Sequence, residues 1–579
     1  MSVQSIVSND LRQDASSVWV LAGHDRFGYS DGAESEKYLD KVFRAAQDLS
    51  TTSTELESWI KDWPSEYHLT VKRAQLLSGF RFDRSLKVLE VGCGCGAITR
   101  FLGENFDDVV SVEGSLNRAR LARLRTRDLP GVTILCAPFQ EIRFSRKFDV
   151  VFCIGVYEYS ASFVPGANPY DSVLDYFSDL LTPDGMVVIA IENQFGLKYF
   201  SSATEDHLGV RFEGLEGYHV NPGKVRTFGK VELEQNLRPH FPDIRFYYPC
   251  PDYKLPDGVL SEEFMGSPRA GELVSQLRSR DYSASLPPLY DEASVALELA
   301  RNRMLPFFSN SFLAIAGKTA IHGADFDQQA YLVSSSRRAL FRTRTRVLAD
   351  GDSRLRVEKQ PLSGAASAED GAVTLRATES RWLDTLSLHT TTYLRARSAK
   401  RELGEIFAPC VPWVAHLRSL ATTHDGAAHL DGGFVDCTWH NVFPDGAGFE
   451  FVDREWTWHR DIRLAVVVIR AIYYFLVRTE EAPGISRHLG RRSGRALINE
   501  IARGLGVEPT AADFADFIEL ESGFQSAAFG VDQARYRAAL GWFLKDRSSL
   551  KAFRTCRRFA LRVRASAEAR LGISLGLGK

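Results

Sequence analysis

A glycine-rich turn is the first part of the chain whose residue types and spacing suggest chemistry. Gly92, Gly94 and Gly96 follow a short apolar run and precede a helical pattern. Glycines in such a turn adopt positive φ and let a ligand approach the backbone, and the next helix directs its N–H groups at that ligand. Glu90, at the end of the apolar run, can face a ligand ammonium group. Glu113, at the end of the next run, can accept hydrogen bonds from ribose hydroxyls.

Strand and helix patterns alternate around this turn. Short β-branched runs occupy residues 88–91, 109–112, 132–135, 148–154 and 186–191, with polar helical patterns between them. This alternation predicts βαβ units, a parallel sheet and therefore an α/β fold. The spacing Gly92-x-Gly94-x-x-Ala97 also satisfies a loose dinucleotide fingerprint, so the spacing alone leaves a dehydrogenase open.

The motifs occur in an order that resembles class I S-adenosylmethionine (SAM)-dependent methyltransferases over residues 84–195. The resemblance implies a Rossmann-like domain in which SAM is held by Glu90, Gly92, Gly94, Gly96 and Glu113. Where that family often has an acidic contact to the adenine amine, this chain has Pro138. Phe139 or a backbone carbonyl is therefore the predicted adenine contact. No amino-methylating motif follows the fourth strand, which disfavours methylation of base amines.

Polar and titratable residues are concentrated at 191–209, after the last strand of this stretch. Substrate sites in doubly wound sheets lie at the carboxyl ends of the strands. His207, with Glu192, Lys198 and Asp206 near it in sequence, is a candidate base or clamp for an anionic acceptor. The alternative is a structural lid whose polar groups satisfy one another. Together with residues 27–32 and 63–69, the stretch resembles methyltransferases that accompany bacterial polysaccharide assembly enzymes.

A second constellation lies in the C-terminal half, between residues 429 and 456. Asp436 and Asn441 stand in a D-x4-N arrangement, and Asp453 follows at the end of an apolar strand. This resembles the catalytic loop and metal-binding strand of protein-kinase-like and aminoglycoside-phosphotransferase-like enzymes. The resemblance implies Asp436 as the base, Asn441 and Asp453 as Mg²⁺ ligands, Lys359 as the nucleotide-phosphate contact and Glu379 as its ion-pair partner.

Two departures leave the activity of this second region open. Residues 334–338 read SSSRR where kinases have a glycine-rich loop, and 434–436 read FVD in place of the catalytic-loop histidine motif. Glu402 and Glu405 are alternatives to Glu379, which was placed in a predicted helix at 374–386. The region is therefore interpreted either as an ATP- and Mg²⁺-dependent sugar kinase or as an inactive kinase-like binding domain.

Composition excludes several classes of protein. The 579 residues carry a formal charge of −2, which disfavours a nucleic-acid partner. Eight cysteines form no CxxC pair or zinc-like cluster, which is typical of reduced cytosolic thiols. The most apolar segment, 464–477, has 14 residues and contains Arg470, so it predicts a buried helix and not a membrane span. We expect a cytoplasmic protein, peripheral to the inner face of the membrane at most.

The predicted organisation has five parts. These are an N-terminal helical segment or lid (1–80), the methyltransferase domain (81–255), a connecting region (256–324), an α+β kinase-like domain (325–545) and a basic amphipathic helix (546–579). The last part carries an excess of arginine on one face, which fits an anionic membrane surface, an acidic partner or packing on the preceding domain.

This domain order resembles the bifunctional kinase–methyltransferases that cap O-antigen polysaccharides. The resemblance implies O-methylation of a bacterial surface polysaccharide, or of its phosphorylated terminal sugar, on a lipid-linked glycan acceptor. A glycosyltransferase or polymerase would then be a partner. The alternatives are a sugar or small-molecule O-methyltransferase with an inactive kinase-like domain.

Overall fold

The computed structural model describes residues 3–24, 32–219, 223, 225–277, 279–280, 282, 288–351, 354–446, 448–479, 482–489 and 493–545. Most of the 27–32 motif and the predicted basic helix at 546–579 lie outside the described residues. Two compact units are present, and the chain passes from the first to the second between Leu332 and Val333.

The first unit contains the predicted alternation of strands and helices. Its strands are β1 (Leu11–Gln13), β2 (Trp19–Leu21), β3 (Arg81–Phe82), β4 (Lys87–Val91), β5 (Asp108–Glu113), β6 (Val132–Cys136), β7 (Phe148–Ile154), β8 (Leu181–Glu192), β9 (Asp243–Cys250), β10 (Gly258–Ser261), β11 (Ser311–Gly317), β12 (Ala324–Asp325) and β13 (Ala330–Val333). Its helices are α1 (Ala33–Ala45), α2 (Thr54–Ser58), α3 (Trp63–Leu69), α4 (Ala97–Asn105), α5 (Leu116–Arg125), α6 (Ser160–Phe163), α7 (Pro169–Leu180), α8 (Leu197–Phe200), α9 (Lys230–Leu237), α10 (Glu262–Met265), α11 (Ala270–Gln276), α12 (Glu292–Arg301) and α13 (Leu305–Phe308).

The main sheet of this unit has the order β1-β2-β6-β5-β4-β7-β8-β11-β9-β10-β13. Strands β2, β6, β5, β4, β7 and β8 pair in parallel, as the βαβ pattern predicts. Strand β11 then runs antiparallel between β8 and β9. The sheet is therefore mixed, because six parallel strands are followed by a reversed strand at β11.

The predicted connecting region at 256–324 is part of this sheet. All of β11 is buried, and its seven residues pair with β8 on one side while five of them pair with β9 on the other. Strand β2 likewise places part of the predicted N-terminal helical segment beside β6. Both boundaries are therefore wrong, because short apolar strands gain their hydrogen-bond partners only from segments distant in sequence.

The second unit consists of small antiparallel sheets followed by helices. Its strands are β14 (Thr343–Ala349), β15 (Leu355–Pro361), β16 (Ser367–Asp370), β17 (Val373–Arg376), β18 (Thr378–Arg381), β19 (Thr422–His424), β20 (Ala427–Leu430), β21 (Val442–Asp445), β22 (Gly448–Phe451), β23 (Trp456–Trp458) and β24 (Ile462–Arg463). Its helices are α14 (Leu388–Ala396), α15 (Leu403–Phe407), α16 (Val411–Leu420), α17 (Leu464–Thr479), α18 (Pro483–Leu489), α19 (Gly494–Gly504), α20 (Ala511–Phe529) and α21 (Gln533–Lys545).

Helix α17 matches the buried helix predicted from the apolar run at 464–477, and Arg470 within it is buried. Its guanidinium lies 2.7 Å from Glu521 Oε2, so the charge is paired inside the helical part of the unit. Among the described residues, none of the helices combines the length and apolar character that crossing a membrane requires.

Candidate functional site

A cavity of about 290 Å³ lies at the carboxyl ends of the parallel strands in the first unit. The loops that follow β4, β5, β6 and β7 line it, as expected for ligand sites in doubly wound sheets. Four of the five predicted donor residues are in its wall, together with Phe139 and His207. The fifth, Gly96, is not in the wall and caps the start of α4. Residues that the sequence separates by more than a hundred positions therefore face one space.

The glycine turn lies against the cavity with its three glycines at positive φ, +74° at Gly92, +55° at Gly94 and +84° at Gly96. A Cβ on Gly92 would lie 2.4 Å from Val156 Cγ2. One on Gly96 would lie 2.8 Å from the Cα of Ala122. At Gly92 and Gly96 a side chain is therefore excluded both by the positive φ and by contact with neighbouring atoms. The turn consequently presents its backbone to the cavity.

Glu113, at the end of β5, is held by two backbone donors. The N–H of Gly94 donates to its Oε2 at 2.8 Å, and the N–H of Ser115 donates to its Oε1 at 2.9 Å. Each oxygen retains a lone pair that can accept another hydrogen bond. The carboxylate is therefore fixed in place and can accept from two neighbouring hydroxyls of a ligand.

Glu90 lies deeper, at the end of β4, and is 3% exposed. Ser111 Oγ donates to its Oε2 at 2.7 Å. Burial raises the pKa of Glu90 to about 7, and the neighbouring Glu113 adds to the effect against the hydrogen bonds from Ser111 and Thr99. A cationic ligand group beside Glu90 would restore its charged form.

Aromatic residues from two directions complete the donor side. Phe139 follows β6 and lines the cavity, with its ring 5.8 Å from that of Tyr176. Trp63, Tyr67 and His68 of α3 line the cavity too, which brings the predicted N-terminal lid to the site. The site is therefore built from the sheet edge together with one helix of the N-terminal segment.

His207 lies in a dense group of carboxylates on the other side of the cavity. Its Nδ1 is 2.8 Å from Glu205 Oε1. Its Nε2 is 3.5 Å from Glu158 Oε1 and 3.5 Å from Glu192 Oε2. Lys254 bridges Glu192 Oε1 at 2.6 Å and Asp206 Oδ2 at 2.7 Å. These groups are almost wholly buried, so their charges interact strongly.

The carboxylates determine the protonation of this histidine. Burial lowers the pKa of His207, but Glu192, Glu158 and Glu205 raise it by more, so it lies well above its usual value. Burial raises the pKa of Glu158. His207 is consequently a cation near neutral pH, which favours the predicted clamp over the predicted base.

Glu158 was not among the sequence-predicted site residues. It follows β7 at the carboxyl edge of the sheet, and this position is the one signal that could have identified it as a site residue. Nothing in its local sequence predicts that His207 and Glu192 lie beside it. Lys254, which follows β9, is not among the sequence-predicted site residues either. Both face the cavity because the loops after β7 and β9 converge there.

The second unit brings together four of the five residues predicted for the kinase-like site. Asp436, Asn441 and Asp453 line one recess of about 10 Å³. Asn441 Nδ2 donates to Asp436 Oδ2 at 3.3 Å. Lys359 Nζ donates to Asp453, whose φ of +60° is rare for a residue with a side chain and typical of functional sites. Two carboxylates and an amide fit Mg²⁺ by chemistry.

Glu379 is not the partner of Lys359. The predicted helix at 374–386 is replaced by β17 and β18, and Glu379 is an exposed strand residue 3.4 Å from Arg356. Lys359 Nζ instead contacts the wholly buried Glu455 at 2.8 Å, besides Asp453. Helix-forming side chains were overridden here by pairing of β18 with β15.

Comparison with known proteins bears on the first unit. Residues 89–187 match the family model of a methyltransferase domain. They span the glycine turn, Glu113 and most of β8, the same elements that build the donor side of the cavity. The chain contains a class I methyltransferase domain.

Relatives of the methyltransferase domain differ in what their names describe. Cyclopropane-fatty-acyl-phospholipid synthase of Escherichia coli K12 is 28% identical over 105 residues, 18% of this chain and 25% of that protein. A dTDP-3-amino-3,6-dideoxy-alpha-D-glucopyranose N,N-dimethyltransferase of Streptomyces fradiae is 26% identical over 124 residues, 21% of this chain and 46% of that protein. This chain therefore spans less than half the length of these curated relatives.

A solved structure shows a distant likeness. The putative methyltransferase in complex with the Haloferax volcanii Trm112 activator is 16% identical, with a TM-score of 0.27, and the match covers 44% of this chain and 92% of that one.

The residues of the methyltransferase domain fit SAM. The glycine cradle admits a ligand against the backbone, and Glu113 presents two fixed acceptors suited to ribose hydroxyls. Glu90 is a buried carboxylate suited to an ammonium group, and Phe139 provides an apolar face beside them.

Proposed function

We propose that this protein is a SAM-dependent O-methyltransferase that acts on a bacterial surface polysaccharide or on its phosphorylated terminal sugar. One observation carries the proposal: a single cavity joins the donor residues to the ionisable group around His207. The ionisable side lies where an acceptor must approach the donor, and its lysines, histidine and carboxylates suit a polar, oxygen-rich substrate.

Positioning is the main contribution of the donor residues. When bound, SAM supplies a methyl group on a sulfonium ion. Glu113 would hold the ribose hydroxyls, and the glycine turn would let the rest of the ligand approach its backbone. Holding two reactants in line removes much of the entropic barrier to transfer. Methyl transfer would break the carbon–sulfur bond of SAM, with the electron pair left on sulfur, as the acceptor oxygen gains the methyl carbon.

The acceptor residues decide which oxygen can react. A phosphate monoester is already anionic near neutral pH and needs no base. A sugar hydroxyl must lose its proton, and His207, held protonated by its carboxylates, cannot take it. Glu158 is the proton acceptor for a hydroxyl substrate, because its pKa is raised and neither oxygen has a hydrogen-bond donor among the described residues.

The second candidate activity is ATP-dependent phosphorylation of the same sugar by the second unit. The observation that favours it is the convergence of Asp436, Asn441 and Asp453 with Lys359. Asp436 would accept the proton of the sugar hydroxyl, with Asn441 and Asp453 holding Mg²⁺. The departures from the kinase motifs at 334–338 and 434–436 favour the alternative, an inactive kinase-like domain that binds glycan or a partner.

An acceptor panel tests the proposal. Label from methyl-labelled SAM is followed onto an oligosaccharide ending in a free hydroxyl, the same oligosaccharide ending in a phosphate monoester, and one ending in an amino sugar. We expect transfer to the phosphate or hydroxyl end. Glu113→Gln should abolish detectable transfer, whereas Glu234→Gln, a surface carboxylate paired with Arg238, should retain it.

Transfer to the amino sugar alone would replace oxygen with nitrogen as the acceptor, in keeping with the name of the Streptomyces fradiae relative. Absence of SAM binding by calorimetry would overturn the proposal altogether. A free hydroxyl end that becomes an acceptor only after incubation with MgATP, and not in Asp453→Asn, would support an active second unit.

A further inference from the structure

The arrangement of Glu158, Glu192 and His207 differs from a closed ion-pair network. Each contributes one potential ligand atom, and these atoms lie within 4.8 Å of one another. His207 Nε2 is 3.5 Å from both carboxylates, which is longer than a hydrogen bond. Two donors on one metal ion, each at about 2.1 Å, lie about 3.0–3.4 Å apart. The spacing is close to that of metal ligands.

Glu158 supplies a second, independent observation. It is wholly buried, it lines the cavity, and neither of its oxygens has a hydrogen-bond donor among the described residues. Leaving a buried carboxylate unsatisfied is costly, and such groups in folded proteins are paired or bind metals. Apart from His207 at 3.5 Å, the described residues offer these oxygens no positively charged partner, which leaves room for a cation beside them.

The surroundings of His207 resemble the outer shell of metal sites. Its Nδ1 is engaged at 2.8 Å by Glu205, which leaves Nε2 directed at Glu158 and Glu192. A metal-binding histidine characteristically uses its second nitrogen in this way, with a carboxylate setting the ring orientation. Glu205 is itself held by the backbone N–H of Leu208 at 2.6 Å.

Charge balance points the same way. A metal ion on Nε2 would replace the proton of His207, and four carboxylates and two ammonium groups would then leave two negative charges around a neutral imidazole. The carboxylates are Glu158, Glu192, Glu205 and Asp206, and the ammonium groups are Lys198 and Lys254. One divalent cation neutralises this excess, whereas protonating His207 removes only half of it.

We propose that Glu158, Glu192 and His207 bind a divalent metal ion of the Mn²⁺ or Zn²⁺ class, which recruits the phosphate of the acceptor to the methyl donor. One imidazole and two carboxylates suit these ions. An anionic acceptor that approaches these carboxylates unaided is repelled, and Lys198 and Lys254 are already paired with Asp206. The role of the ion rests on the proposed function, but its binding does not.

The test measures Mn²⁺ binding to the full chain after chelator treatment, without SAM or nucleotide, by the electron paramagnetic resonance of the free ion. We expect a site that Glu158→Gln and His207→Gln each weaken by more than about 100-fold, and that Glu205→Gln weakens by about 10–100-fold. Glu234→Gln is the surface control. Asp453→Asn removes the other candidate cation site, so the site should persist in that variant.

Absence of Mn²⁺ and Zn²⁺ binding, binding unaffected by both ligand variants, or binding lost in Asp453→Asn would each overturn the inference. SAM calorimetry on the same samples separates the two proposals. SAM binding with no metal binding defeats only the metal site, whereas absence of SAM binding defeats the methyltransferase. Retained SAM binding in Glu158→Gln shows that this variant is folded. If Glu158→Gln does not fold, metal binding by His207→Gln tests the same site.

Discussion

At the residue scale, the donor side of the cavity depends on carboxylates whose environments differ sharply. Glu113 is held by two backbone N–H groups, whereas Glu90 is buried and accepts a 2.7 Å hydrogen bond from the Ser111 side chain. Both could be predicted, because acids at the ends of neighbouring parallel strands meet at one sheet edge. Glu158 could not, since it lies beside Glu192 and His207, which are 34 and 49 positions away in the sequence.

Glu90 should destabilise the ligand-free domain as the pH rises. Its folded pKa of about 7 exceeds the ordinary 4.5, so between these values the native state keeps a proton that the unfolded chain releases. Stability therefore falls as pH rises through that window, by about 3 kcal/mol in all. Glu90→Gln removes this cost and should raise the melting temperature at pH 8 relative to wild type, with most of the gain gone at pH 5.

Thermal melts of wild type, Glu90→Gln and the surface variant Glu234→Gln at the two pH values provide the measurement. An equal gain at pH 5 and pH 8 would contradict the shifted pKa. Glu90→Gln should also weaken SAM binding in calorimetry, because a neutral amide cannot balance a ligand ammonium group.

At the element scale, strands with continuous β-branched runs were predictable and isolated short strands were not. The runs that form β4 to β8 lie in a parallel sheet covered on both faces, where nearly every side chain is apolar. Strand β11 has a similar composition, but its place between β8 and β9 depends on segments about 65 and 120 residues earlier. Strands β17 and β18 contain helix formers and were wrongly predicted as a helix.

The turn between β4 and α4 should not tolerate a side chain at Gly96. Alanine there would combine a φ of +84° with a Cβ 2.8 Å from the Ala122 backbone. The left-handed conformation costs about 1–2 kcal/mol, and displacement of α5 adds about 1–3 kcal/mol. Gly96→Ala should therefore lower the melting temperature of the first unit and weaken SAM binding.

Gly23 provides the matched control for this variant. Its φ is +83°, but a Cβ there would have no atom within 4 Å. Gly23→Ala should show only the conformational cost. If the two variants lose equal stability, the contact with α5 contributes nothing and the explanation from packing is wrong.

At the scale of the whole molecule, the chain carries two candidate sites in two separate units. The division after Leu332 follows from the contacts of each unit and differs from the predicted start of the kinase-like domain at 325. The predicted bifunctional organisation can therefore be tested with two ligands, SAM for the first unit and MgATP for the second, because each would bind through different residues.

SAM and MgATP should stabilise the protein through different residues. A ligand at 100 times its dissociation constant adds about 2.7 kcal/mol to the native state it binds. We expect a SAM-induced rise in melting temperature that disappears in Glu113→Gln and persists in Asp453→Asn. A MgATP-induced rise should show the opposite pattern.

Differential scanning calorimetry of the three proteins with each ligand separately makes this measurement. No MgATP response in wild type would identify the second unit as an inactive kinase-like domain. Loss of the SAM response in Asp453→Asn would contradict the independence of the two sites.

By itself the sequence determined the glycine turn and the two strand-end acids beside the cavity, because glycine φ preferences, strand-end positions and apolar runs are local properties of the chain. The sequence also predicted that Lys359, Asp436, Asn441 and Asp453 belong to one site, and the structure places them together. Tertiary structure alone decided the rest: the reversed strand β11, the replacement of Glu379 by Glu455, and the protonation of His207. Each of these depends on partners supplied by distant segments, and burial then sets the strength of their charges.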